Sequence, residues 1–138
     1  ASQIVRQGDA SSLSQQRFDL VPDLPGGVCH GTNVPMVDKG GTVYACCEPP
    51  LDSKSSHNPL ILGNLYRDPL PAILARAEKS AFIQALRQRG PGYLAQVAID
   101  RGMGNRLKGV YPRDSVCEVC HDMLRDEEVV ATVLEGVD

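Results

Sequence analysis

An α+β fold, a small β-hairpin followed by about three α-helices, is what this 138-residue sequence predicts. Three observations carry the prediction. Strand-type residues Val34 and Met36, then Thr42, Val43 and Tyr44, flank Asp38-Lys39-Gly40-Gly41, whose glycines supply the positive φ that a hairpin turn needs. Apolar residues from Leu70 to Leu86 recur at helical spacing. Thirteen glycines and ten prolines cut the chain into short elements. The length suits one domain with a modest core.

Residues 1–28 read as a linker or lead-in arm: Ser11-Ser12, Gln15-Gln16, Pro22, Pro25, Gly26 and Gly27 offer no apolar period. The domain proper is expected over residues 29–138 and begins with the hairpin. Glu48 to Pro59 is a polar, proline-flanked loop, and Leu60 to Leu65 an apolar strand or turn broken at Gly63. Asp68-Pro69 opens a helix, Asp as its cap and Pro at the first helical position. Leu70, Ile73, Leu74, Ala77, Ala81 and Leu86 keep to one face of it until Gly90-Pro91. A shorter helix buries Leu94, Val97 and Ala98 and stops at Gly102 and Gly104. Asp126 caps the last one, which has Glu127 and Glu128 in its first turn and Val129, Val130, Val133 and Leu134 as its apolar stripe.

A net charge of −3 implies no global pull towards nucleic acid or membrane, and neither is expected as a partner. The charges are nevertheless segregated. Nine Lys/Arg against three Asp/Glu lie from Asn64 to Arg113, and one Arg against eight Asp/Glu from Asp114 onwards. Two solvated faces of opposite sign explain this simply; the alternative is a basic face turned to an anionic partner or a neighbouring domain. No apolar run nears the roughly 18 residues of a membrane span. Five cysteines, an odd number, fit a reduced, cytoplasmic setting better than a disulfide scaffold.

The chemistry lies in those cysteines. Closing the hairpin brings Cys29 towards Cys46. Cys117 and Cys120 follow Asp114-Ser115, which can cap a short helical turn, and residues i and i+3 on such a turn share a side. Four thiolates complete either an iron–sulfur cluster or a zinc site, so Cys29, Cys46, Cys117 and Cys120 are the candidate metal ligands. Strand alternation turns Cys47 to the opposite face and makes it a small buried residue, with a register in which it replaces Cys46 left open. His30 and His121 adjoin ligands, His57 lies in the polar loop, and no residue is assigned a catalytic role. Cys117-Glu118-Val119-Cys120-His121 is also the attachment motif of c-type haem, with Met103 or Met123 as sixth ligand. That reading leaves Cys29 and Cys46-Cys47 unexplained. Dithiol redox chemistry at the same cysteines would want a strand before them, and none is evident.

Cys29, eleven residues, Gly41, four residues, Cys46 and a later Cys117-x-x-Cys120 form a pattern that resembles the SPASM and twitch domains, the C-terminal auxiliary iron–sulfur domains of radical S-adenosylmethionine enzymes. The run Asp38 to Cys47 is similar to that family's DG-x-V-x-x-C hairpin, and Leu62-Gly63-Asn64-Leu65 with Leu70 and Ile73 to its LGN…L…I segment. The resemblance covers Cys29 to His121. It implies a hairpin and helices around one 4Fe–4S cluster, held by the four cysteines and serving electron transfer, closure of a substrate channel, or both. The cysteines of a second cluster are absent, which points to the single-cluster, twitch-like form. The C-x(3)-C-x(2)-C motif that holds the cofactor-cleaving cluster is absent too. The resemblance therefore implies a non-catalytic C-terminal part, with S-adenosylmethionine and its cluster on a radical barrel upstream in the same gene product or on a separate chain.

Overall fold

The computed structural model describes residues 20–46, 58–113 and 115–137. Cys47, His57, Asp114 and most of the polar loop lie outside them, as do residues 1–19.

The hairpin forms as its turn chemistry dictates. Strand β2 (Met36–Val37) pairs antiparallel with β3 (Thr42–Tyr44), Met36 facing Tyr44 and Val37 facing Val43. Asp38 organises the three-residue turn. Its carbonyl accepts from the Gly41 N–H at 3.0 Å, and its Oδ1 accepts from the amides of Gly40 at 2.9 Å and Thr42 at 3.0 Å. Gly41 has φ 83°, the left-handed position of a turn-plus-bulge hairpin. The LILGNL segment supplies β4 (Ile61–Asn64), which pairs with the other edge of β3. Each residue of Leu62-Gly63-Asn64 has a distinct task. Leu62 is buried, and the Asn64 side chain donates to the Gly40 carbonyl at 3.1 Å across the turn. Gly63 leaves room for Arg76, whose guanidinium lies 2.5 Å from where a Cβ would stand and donates to the Leu62 carbonyl at 2.8 Å.

Five α-helices follow, against the expected three or so. The long helix breaks at Ser80 into α1 (Leu70–Lys79) and α2 (Ala81–Gln88). Ser80 is extended (ψ 116°), and its hydroxyl accepts from the Ile83 N–H at 3.2 Å, capping α2. The break turns α2 inward, so Phe82, Ile83 and Leu86 are buried while Leu70 and Leu74 on α1 stay exposed. Asp68 does not cap α1. Pro69 takes the cap position, and Asp68 pairs with Arg76 at 3.0 Å instead. Helix α3 (Pro91–Asp100) ends as expected at Gly102, φ 88°. The expected short turn at Cys117 is a full helix, α4 (Val116–Leu124). Asp126 caps α5 (Glu127–Val137), its Oδ1 accepting from the amides of Glu128 and Val129 at 3.0 and 3.4 Å.

Within the section read as linker or arm, β1 (Leu20–Val21) pairs with β5 (Tyr111–Pro112), and Pro25 is buried. One continuous core joins Val43, Leu60, Leu62 and Ile73 of the sheet side to Leu94, Val119, Leu124, Val129 and Val133 of the helices. The segregated charges partly face one another. Arg106 pairs with Asp126 at 2.6 Å and with Glu128 at 3.2 Å, and Lys108 lies 3.5 Å from Glu118. No helix among the described residues is long and apolar enough to cross a membrane.

Candidate metal centre

The structure brings the four expected cysteines to one place. Cys29, Cys46, Cys117 and Cys120 line a single cavity, each a thiol, with Ala45, Leu60, Leu86 and Pro91 as apolar walls. Cys46 and Cys120 are buried; Cys29 and Cys117 are half-buried and stand at the solvent side. The cavity is tight, about 10 Å³, close to the minimum for one water.

The four donors reach the cavity by three devices. Cys117 and Cys120 occupy the first turns of α4, one helical turn apart, and Leu124 continues their face into the core. The N-terminal end of α4 also carries the positive end of the helix dipole, which favours thiolate there. Cys46 lies two residues past β3, next to Ala45, whose N–H donates to the Leu60 carbonyl at 2.7 Å and ties this segment to the residue before β4. Cys29 sits on irregular backbone between Val28 and the 3-10 turn Gly31–Asn33, and its N–H donates to the Leu86 carbonyl of α2 at 3.0 Å. That contact needs the arm to lie close on the α2–α3 corner. A Cβ on Gly90 would stand 2.1 Å from the Gly27 carbonyl oxygen, and one on Gly92 2.3 Å from that of Pro25. Gly90 also has φ 87°, so the residue that ends α2 is the one that lets Cys29 in.

The electrostatics of the cavity keep its innermost thiol neutral. Burial pushes the Cys120 thiol well up from its ordinary value, and the charges of Cys46, Cys29 and Cys117 push it further. Four thiolates cannot share this dry space on their own; a bound metal reverses the penalty by deprotonating its ligands. Among the described residues, no three His, Cys, Asp or Glu side chains converge on a point where one metal ion could sit. The donor set is soft, sulfur only, in apolar surroundings, which suits iron–sulfur or zinc and not a hard cation.

Several residues matter here in ways that spacing did not reveal. His121 is buried and lines the cavity, whereas His30 is exposed. Glu118 and Asp122, counted above among the charges of a solvated face, are each 1% exposed. They lie one turn apart on the face of α4 opposite the cysteines. Asp122 accepts from the Tyr111 hydroxyl at 2.7 Å, from the Lys108 N–H at 2.8 Å and from the Arg125 guanidinium. Burial, and then the Asp122 charge, push the Tyr111 hydroxyl far above its ordinary pKa, so it remains a donor at all ordinary pH. Helix α4 is thus fixed on one face by a satisfied carboxylate network and offers its sulfurs on the other. The i, i+4 spacing of Glu118 and Asp122 was the one available signal. Thr32, buried beside Cys29 in the cavity wall, left none.

Compared with known proteins, the chain matches no family model, no curated protein and no solved structure.

Proposed function

We propose that this chain is an auxiliary iron–sulfur domain of the twitch type, binding one 4Fe–4S cluster through Cys29, Cys46, Cys117 and Cys120. One observation supports this reading above the rest: four cysteines from three separate stretches of sequence line one dry cavity. Each ligand of a cluster binds its own iron, so cluster thiolates stand apart at corners. The cavity volume is too small for a cluster as it stands, so binding one requires the walls to move apart.

When bound, the cluster supplies one-electron transfer. The protein's part is to hold the four sulfurs, to exclude water with Leu60, Leu86 and Pro91, and to keep the charge of α4 balanced from behind through Asp122 and Arg125. Radical generation from S-adenosylmethionine belongs in this reading to a partner barrel, in the same gene product or on a separate chain, and the setting is the cytoplasm.

Structural zinc is the second reading: the small volume of about 10 Å³ favours it, while the lack of three converging donor side chains among the described residues weighs against it. A c-type haem draws no support: it uses only Cys117 and Cys120 and leaves unexplained the two further thiols that line the same cavity. Anaerobic reconstitution with iron and sulfide decides among the three. We expect about four irons and four sulfides per chain, lost when any of the four cysteines becomes Ala. Tight uptake of zinc with no iron would replace the cluster by the zinc site. A haem spectrum, or no metal at all, would overturn both.

A further inference from the structure

Cys29 sits on irregular backbone, outside any helix or strand. Something must hold it, and the hydrogen bonds show what does. The Thr32 hydroxyl donates to the Cys29 carbonyl at 3.3 Å and closes the loop on itself. The same hydroxyl accepts from Arg87 Nε at 3.3 Å, while Arg87 Nη2 donates to the Thr32 carbonyl at 3.2 Å. The third nitrogen, Nη1, is anchored the other way, on Glu78 at 2.8 Å. Arg87 follows Leu86 on α2, and the Leu86 carbonyl receives the Cys29 N–H. Two successive residues of one helix therefore grip both ends of the segment from Cys29 to Thr32.

We propose that Arg87 and Thr32 are positioning residues for the Cys29 donor, a clamp that sets where this thiolate enters the metal centre. The proposal rests on reading the four-thiol cavity as a metal site. Arginine suits the task because its planar fork presents donors in three directions at once, to a hydroxyl, a carbonyl and a carboxylate; a lysine has one nitrogen and cannot span them. Thr32 is buried and lines the cavity, so its hydroxyl couples the arginine to the site with no water between. The chain spends a half-buried arginine on one short loop. Cys117 and Cys120 need no such device because a helix already fixes them.

The test measures the Cys29 thiol directly, in the full reduced chain without metal. Cys117 is also half-buried and serves as the internal reference. In Arg87→Met and in Thr32→Val the rate of Cys29 alkylation by iodoacetamide, followed by mass spectrometry, should rise about ten-fold, the scale of one lost charged hydrogen bond. Cys117 should not change, and Thr32→Ser, which keeps the hydroxyl, should behave as wild type. In metal-loaded protein the same two variants should shift the spectroscopic signature of the centre and release metal to a chelator faster, with the alkylation site mapping to Cys29. Equal rates at Cys29 in variants and wild type would overturn the clamp. So would a parallel rise at Cys29 and Cys117, which marks general loosening. A wild-type chain that takes up neither iron nor zinc overturns the site reading itself, and that result comes from metal content, not from alkylation.

Discussion

The two halves of the cavity are built on opposite plans. Cys117 and Cys120 ride on α4, whose backbone bonds are internal and whose residues from Val116 to Leu124 are all buried except the half-buried Cys117. The segments that carry Cys29 and Cys46 are tied by a few polar bonds, among them Cys29 N–H to the Leu86 carbonyl, Arg87 to Thr32, and Ala45 N–H to the Leu60 carbonyl. The β2 strand beside them exposes Met36 and Val37. The difference teaches where stability and where metal dependence reside. Helical donors are placed by the core whether or not a metal is present. Loop donors are placed by a few polar contacts, and a bound metal would add most there.

The largest effect should come from attacking the helical half. Leu124→Ala empties a fully buried position under α4 and should cost about 2–5 kcal/mol in urea unfolding. Val37→Ala, on the half-exposed edge strand, should cost less than about 0.5 kcal/mol. Similar costs at the two positions would break the contrast. Next in size is Gly41→Ala in the hairpin turn. It forces an L-residue to φ 83° with its Cβ 2.8 Å from the Tyr66 ring, and should cost about 1–2 kcal/mol. Amide exchange should locate that loss in residues 34–46 and leave α4 protected; loss of protection in both halves would show that they open together.

The smallest effect is one of pH. The hydrogen bond from Arg106 holds the Asp126 carboxyl below its usual range. Its folded pKa is therefore depressed relative to about 3.9 in the unfolded chain. The stabilisation it gives is fully present above that value and fades as pH falls through the folded pKa. Wild type should lose a little more stability than Asp126→Asn between pH 5 and pH 2. Because this pair tethers the helical half only, amides of the hairpin should not sense it. A hairpin response of equal size would join what the geometry keeps apart.

Much of this was legible in the sequence. Asp38, Gly41 and the flanking strand residues announced the hairpin because turn chemistry is local. Asp126 and the valines after it announced α5 for the same reason. Cysteine spacing named the four thiols that line the cavity, though not how they are held, and the choice of Cys46 over Cys47 lies outside the described residues. What could not be read was non-local. Ser80 looks like any helix residue until the core draws Phe82 and Ile83 inward. Glu118 and Asp122 read as surface charge because their partners, Tyr111, Lys108 and Arg125, are identified by packing and not by pattern. Gly90 read as a helix stop, which it is, and its second task depends on an arm some sixty positions earlier. Arg87 was counted simply as one of nine basic residues.

That close approach of the arm to Gly90 has a consequence in time. Cys29 is the first donor to leave the ribosome, yet the surface it docks on, Leu86 with Gly90 and Gly92, is made long after it, and Cys120 ninety-one positions later. At a synthesis rate of about 5–20 residues per second, roughly 5 to 20 seconds pass between the first thiol and the last. Until Leu86 to Gly92 have been made Cys29 has no seat, and the growing chain carries an unburied thiol. Of the four thiols it is the one that waits longest in an unfinished protein, so oxidation during synthesis falls on Cys29 before any other.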